Sequence, residues 1–280
     1  MSKFADLHIH SDFSDSDLSL EEIFKRAKEL SLSCIAITDH DTTDGLDIAK
    51  KLGITFNIEL IEGIEITANK DGVEIHILGY MIDYHQALFI EALEQIKQVR
   101  KERLLKTISK LISLGVDIDS EDFFSNYKNV MPTRLHLALY MVEKNYVHSI
   151  WDAFKKFFSY GKPAYIPHFR YRVEEVISMI KSVGGLAFLA HPHYLPNREW
   201  IREFVEQGLD GIEVIYPRYS QEQIDYFKNL ADSYNLIKSG GSDAHGSYKD
   251  FTSIGQFKVP YEWVEVMKDE QRHFLYKENI

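Results

Sequence analysis

An α/β chain built as a (β/α) barrel, with a block of helices interrupting it, is the fold this sequence predicts, and three observations carry the prediction. Strand-like apolar runs alternate with helix-patterned segments over residues 1–83, residues 84–160 read as helix after helix, and alternation resumes over 161–280. At 280 residues, 45% of them hydrophobic, the chain can close one barrel-sized core. The expected partition is therefore a discontinuous barrel, 1–83 with 161–280, and a helical insertion subdomain, 84–160.

Phe4 to His10 reads as the first strand. Ser19 with Glu22 three residues on is a capping-box pattern, and Ile23, Ala27 and Leu30 recur behind it at helical spacing. Apolar runs at Cys34–Thr38, Thr55–Ile61 and Ile75–Tyr80 predict further strands, with a helix near Leu46–Leu52. From Tyr84 to Gly115 the pattern is one long amphipathic helix, and Gly115 is its natural stop. Helical signals continue at Arg134–Glu143 and Ile150–Phe158. Then come helix Val173–Val183, strand Leu186–Ala190, helix Glu199–Glu206, strand Gly211–Tyr216, helix Gln221–Tyr234 and strand Leu236–Gly240.

Composition narrows the function. A formal net charge of -11 repels a polyanion at long range, so duplex DNA is not an expected partner. Cations bound in one cleft would reverse the sign locally and leave a small phosphorylated molecule, or the end of a short oligonucleotide, as a fitting ligand. No apolar run approaches membrane-spanning length, and the first residues enter a strand without a leader pattern, so no membrane contact and a cytoplasmic location are expected. The single cysteine, Cys34, lies in an apolar run and reads as a small buried hydrophobe.

The chemistry lies in where histidines and acids fall. His8, His10, Asp15, His40, Glu65, His76, His191, Asp243 and His245 all sit at predicted strand ends or just after them. Carboxyl ends of barrel strands converge on one face, so residues far apart in sequence can meet there. His8 and His10 are two apart, as are Asp243 and His245, and strand alternation sends each pair to one side. Any one of these histidines alone is more often a hydrogen-bonded structural residue; nine such positions together are not explained that way. His85, His148 and His273 have no partner pattern and read as surface or packing residues. A mixed imidazole and carboxylate set without thiolates suits zinc, manganese or iron better than calcium or magnesium.

The segments DLHIHSDFSD, AITDHD, EGIEIT, EIHILGY, LAHP and GSDAH, in that order, resemble the polymerase and histidinol phosphatase (PHP) superfamily over nearly the full chain. The similarity is greatest to stand-alone phosphoesterases in which a helical insertion follows the HILGY segment, whose members include phosphatases of nucleotides and nucleoside 3′,5′-bisphosphates. It implies a distorted barrel and two or three divalent metals. The implied ligands are His8, His10, Glu65 and Asp243 for the first, Glu65 with His76 and His191 for the second, and Asp15, His40 and His245 for the third. Ser16 departs from the pattern, standing where those relatives usually carry Gly.

Clustered cations cancel phosphoryl charge and lower the pKa of a water, so a metal-dependent phosphoric ester hydrolase using activated water is expected. Glu65, as the bridge, with Asp15 and His40, are the catalytic candidates. Asp39 is a candidate for orienting an imidazole, with a turn role equally compatible. For substrate phosphate, Arg134 in Pro132-Thr133-Arg134-Leu135-His136 leads, because a guanidinium grips phosphate bidentately. His136, Lys162, His168 and Arg170 are further candidates, with capping or packing the stronger reading for His136 and solvated loop charge the default for the rest. The expected substrate is a small phosphorylated metabolite, a nucleotide or nucleoside bisphosphate. The alternatives are an exonuclease trimming short oligonucleotides, a histidinol-phosphate phosphatase, and a non-catalytic metal-binding scaffold.

Overall fold

The computed structural model describes residues 2–127, 130, 132–167, 169–248 and 253–278. Among them the chain runs β1 (Phe4–Ile9), α1 (Leu20–Glu29), β2 (Cys34–Ile37), α2 (Leu46–Phe56), β3 (Glu59–Lys70) and β4 (Val73–Tyr80). Helices α3 (Ala87–Ser113), α4 (Ser120–Asn126), α5 (Arg134–Glu143) and α6 (Ile150–Ala153) follow, the last widening into a π-helical turn at Phe154–Phe158. The rest is α7 (Val173–Ser182), β5 (Leu186–Leu189), α8 (Trp200–Glu206), β6 (Gly211–Ile215), α9 (Gln221–Tyr234), β7 (Ile237–Gly240), β8 (Val259–Pro260) and α10 (Glu262–Glu278). The Ser19–Glu22 capping box starts α1 as its residues predict.

The strands form one sheet in the order β7-β6-β5-β4-β3-β2-β1-β8. It curls into a nearly closed barrel: Ala244, just past β7, bridges to Ile9, and the His10 N–H donates to the Ala244 carbonyl at 3.1 Å. The seam needs a glycine, because a Cβ on Gly241 would lie 2.4 Å from the backbone nitrogen of His8 and 2.8 Å from Oδ1 of Asp6. Asp6 is fully buried beside it and accepts from the N–H of Ser242 (2.9 Å) and of Gly255 (2.7 Å). Those bonds fix the loop that carries Asp243 and His245.

Two local readings are corrected. The barrel is not all parallel: β4 runs antiparallel to both β3 and β5, and β8 antiparallel to β1. The cause is a two-residue turn, Asp71-Gly72, whose φ values of 52° and 80° match the primed hairpin turns that such a dipeptide favours. The strand expected from Thr55 also begins later, since α2 continues to Phe56 and Asn57 ends it in the left-handed conformation at φ 53°. As a result β3 outruns its neighbour. Only Glu59–Glu62 pair with β2, while Gly63–Lys70 pair with β4 and are touched on the other edge only by isolated bridges at Glu65 and Asn69, so the hairpin stands past the barrel rim.

Helices α3 to α6 carry an apolar cluster of their own, including Leu104, Ile108, Phe123, Leu137, Met141 and Phe158. Cys34 is buried in β2. Among the described residues no helix is long and apolar enough to cross a membrane.

Candidate metal centre and the cleft around it

His8 and His10 leave β1 on the same side, as alternation requires, and both are fully buried. Glu65 reaches them from the projecting half of β3, where a bridge to His40 fixes its backbone: the Glu65 N–H donates to the Asp39 carbonyl (3.2 Å) and the Asp41 N–H to the Glu65 carbonyl (2.9 Å). Its two oxygens face different partners. Oε2 lies 3.3 Å from His8 Nε2, 3.2 Å from His10 Nε2 and 3.2 Å from His40 Nδ1. Oε1 lies 2.9 Å from His76 Nδ1 and 3.0 Å from His191 Nε2. Asp243 Oδ1 closes the first group at 3.5 Å from His8 Nε2 and 3.3 Å from His10 Nε2.

Asp15 lies on the loop after β1. Asp39 holds that loop, accepting from the Ser11 N–H (2.7 Å) and from the hydroxyls of Ser11 (2.6 Å) and Ser14 (2.5 Å), so its carboxylate is engaged there and not on an imidazole. Ser16 takes no left-handed φ, and its hydroxyl accepts from the Leu18 N–H at 3.1 Å, which is how a non-glycine residue serves this turn. Asp15 Oδ1 is 3.3 Å from His245 Nε2 and 3.8 Å from His10 Nδ1, and Oδ2 is 3.9 Å from His40 Nε2.

All nine ligand candidates thus meet at one mouth, in three overlapping groups: His8, His10, Glu65 and Asp243; His10, Asp15, His40 and His245; His40, Glu65 and His76. His191 joins through its contact with Glu65. The groups share more residues than the resemblance implies, because His10 faces two of them and His40 two. Glu65 and His76 reach the mouth from within a hairpin, not from the carboxyl ends of parallel strands. His191 and Asp243 sit at φ 29° and 48°, a backbone region that side chains other than glycine's occupy at a cost of about 1–3 kcal/mol and that clusters at functional sites.

The chemistry of this donor set fits cations. Nε2 of His8, both ring nitrogens of His10, Oδ1 of Asp15, Nδ1 of His40 and Oε2 of Glu65 are buried without a hydrogen-bond partner among the described residues. Unsatisfied polar atoms inside a protein are expensive, and six converging on one place form a set that bound cations would satisfy. The electrostatics agree. Burial works against charge on His8, yet Glu65, Glu213 and Asp243 hold its imidazole well above the usual range, and His76 is pushed up to about 10 against burial by Glu65 and Glu74. Glu65 and Asp15 are held well below the usual carboxylate range, against burial, by the surrounding imidazoles. The carboxylates call for positive charge. His40 goes the other way: burial, with His10 and His76 nearby, pushes it well below its usual value, leaving a lone pair for a cation.

Residues not foreseen support the cluster from behind. Glu213, fully buried in β6, has Oε1 at 3.0 Å from His8 Nδ1 and accepts the His191 N–H at 2.7 Å through Oε2. Tyr216 donates its hydroxyl to Asp243 Oδ2 at 2.8 Å. A carboxylate behind a ligand imidazole fixes its tautomer and orientation. The signal was present, since Glu213 is the lone acid in an apolar strand.

The cluster opens into a cleft of about 770 Å³ walled by α3, α5 and α6. Arg134 lines it, donating through Nη2 to both oxygens of Glu74 (2.6 and 2.8 Å). Arg103, unforeseen, lines it too, with Nη1 2.6 Å from Glu74 Oε2, and Arg100 pairs with Asp41. Leu104, Trp151, Phe154 and Tyr194 give an apolar wall. Three other phosphate candidates do not line the cleft. His136 is absent from the cleft wall: its Nδ1 accepts the Thr133 N–H at 3.0 Å in a capping box, and its ring packs against Tyr127. Lys162 is exposed in a turn away from the cleft. Arg170 is exposed, spending Nε and Nη2 on Gln95 and stacking on Tyr171. His168 lies outside the described residues.

Comparison with known proteins gives one consistent result. Residues 6–209 match the family model of the PHP domain. The chain is 31% identical over 274 residues to a 5′-3′ exoribonuclease of Haemophilus influenzae, covering 96% of this chain and 95% of that one. It is 30% identical to a 3′,5′-nucleoside bisphosphate phosphatase of Chromobacterium violaceum, over 89% and 90% of the two chains. A solved structure described as a metal-dependent phosphoesterase, from Bifidobacterium adolescentis, superposes with a TM-score of 0.86 at 28% identity, covering 94% of each chain.

Proposed function

Because the chain belongs to the PHP domain family of metal-dependent phosphoesterases, we propose that it hydrolyses small phosphorylated metabolites, with nucleotides or nucleoside 3′,5′-bisphosphates as the preferred class. The ligands would be the nine residues of the cluster, holding two or three divalent ions of manganese, zinc or iron. Such ions supply Lewis acidity that neutralises phosphoryl charge and makes water nucleophilic near neutral pH. Glu65 fixes the spacing of the groups by facing one oxygen to each side, Asp15 and His40 complete the open edge, and Glu213 and Tyr216 keep their neighbours aimed. Residues 84–160 act as an insertion that brings the phosphate-binding arginines to the barrel, in a cytoplasmic enzyme.

The observation that carries this reading is the short path from cluster to arginines. Glu65 Oε1 meets His76 Nδ1 at 2.9 Å, His76 Nε2 meets Glu74 Oε1 at 3.0 Å, and Glu74 Oε1 meets Arg134 at 2.6 Å. One imidazole and one carboxylate therefore separate the reacting centre from a guanidinium pair. That spacing supports a substrate with a second anionic group about one sugar away from the ester being cleaved. The apolar wall beyond supports a base on the same molecule.

The same cleft would admit the end of a strand, and similarity to an exoribonuclease over 96% of the chain supports trimming of short oligonucleotides as a second reading. A turnover panel separates them: mononucleotides, nucleoside bisphosphates, sugar phosphates, histidinol phosphate and short RNA, each with manganese, zinc and iron. The bisphosphate is expected to give the highest kcat/KM. Short RNA outpacing every small molecule would replace the first reading by the second, and no turnover with any metal would remove both.

A further inference from the structure

Glu74 stands two residues before His76 on β4, so their side chains share a face. Its carboxylate is fully engaged. Oε1 meets His76 Nε2 at 3.0 Å and Arg134 Nη2 at 2.6 Å; Oε2 meets Arg134 Nη2 at 2.8 Å and Arg103 Nη1 at 2.6 Å. The arginines are also braced on their far edges, Arg103 Nε donating to the Ile166 carbonyl (2.8 Å) and Arg134 Nη1 to the Phe158 carbonyl (3.3 Å). One donor is left over. Arg103 is 6% exposed, lines the cleft, and its Nη2 is buried with no hydrogen-bond partner among the described residues.

A buried ion pair by itself adds little stability, and a buried guanidinium donor left unmade costs some. The arrangement makes sense if something anionic completes it. We propose that Glu74 is a positioning residue joining the two halves of the site: it aims His76 at the cation cluster and holds Arg103 and Arg134 side by side as the receptor for the substrate's second phosphate. This rests on the metal-dependent phosphatase reading above. It predicts effects of opposite sign. The charge of Glu74 makes His76 a better ligand, so losing it weakens cation retention. The same charge offsets the arginines, so losing it strengthens their grip on an anion. A residue that merely held the wall together would weaken both.

The test uses the full chain, with manganese retention against a graded chelator and sulfate binding by calorimetry at saturating manganese. Glu74→Gln is expected to retain manganese about 10–100-fold less well, as for other groups that orient a metal-bound imidazole, and to bind sulfate roughly tenfold more tightly. Glu74→Asp keeps the charge but cannot span both partners; it should lose manganese affinity without gaining sulfate affinity. Unchanged manganese retention in both variants, or weaker sulfate binding in Glu74→Gln, overturns the inference and leaves the phosphatase reading standing. If Glu74→Gln does not fold, unchanged retention in Glu74→Asp alone decides against it. Wild-type protein that binds none of manganese, zinc and iron overturns both.

Discussion

The two walls of the cleft are built on opposite principles. At the barrel mouth, imidazoles and carboxylates leave buried atoms without partners, from His8 Nε2 to Glu65 Oε2. On the helical wall the guanidiniums of Arg103 and Arg134 are paired to Glu74 and braced by backbone carbonyls. The first wall is incomplete until cations arrive. The second is largely set in advance, its guanidiniums paired before any ligand arrives, with Arg103 Nη2 the exception. Removing a residue from the first should therefore cost the reaction itself, and from the second the hold on substrate.

The sharpest way to break this contrast is Glu65→Gln, which keeps the shape and removes the charge facing five imidazoles. Turnover is expected to fall below about a thousandth of wild type, beyond the 10–100-fold that a supporting residue costs. Metal content measured on the purified variant should fall with it. Near wild-type hydrolysis would mean the mouth does not hold the reacting centre.

Arg134→Ala probes the other wall. Losing charge-assisted bonds of about 1.5–3 kcal/mol each predicts a kcat/KM lower by about 10–100-fold, mainly through KM, with metals retained. Loss of metal in this variant would merge the two walls into one structural unit.

Gly241→Ala tests the seam that lets the mouth form at all. The added Cβ meets backbone, at 2.4 Å from the His8 nitrogen, so the strands must part. About 1–3 kcal/mol of stability should be lost, read as a fall in Tm of several degrees. A variant as stable as wild type would show that the seam has slack.

How much of this was legible follows the same division. The strands and capped helices are local patterns, and the candidate ligands stand out because nine histidines and acids gathered at strand ends are not explained by the structural uses each could have alone. Two local signals went unread: Asp71-Gly72, a hairpin dipeptide that turns β4 antiparallel, and Glu213, a lone acid among apolar neighbours. Arg103 is different. In α3 it stands in the run Arg100-Lys101-Glu102-Arg103, where charge surrounds the helix and only packing decides which residue turns inward. His136 shows the reverse case, since its spacing from Thr133 is that of a capping box, the preferred reading of it, and its imidazole serves that purpose.

The smallest expected effect comes from Lys162 and Arg170, which stood beside Arg134 as phosphate candidates on the return from the helices to the barrel. Lys162 is exposed in a turn, and Arg170 is held on the surface by Gln95 and Tyr171. Neither lines the cleft. Surface changes of this kind stay within about 0.5 kcal/mol, so Lys162→Ala and Arg170→Ala should each leave kcat/KM within about twofold of wild type and Tm nearly unmoved. A tenfold rise in KM for either one would mean that the return from the helices to the barrel closes over bound substrate, and the helical wall would then be larger than its buried arginines.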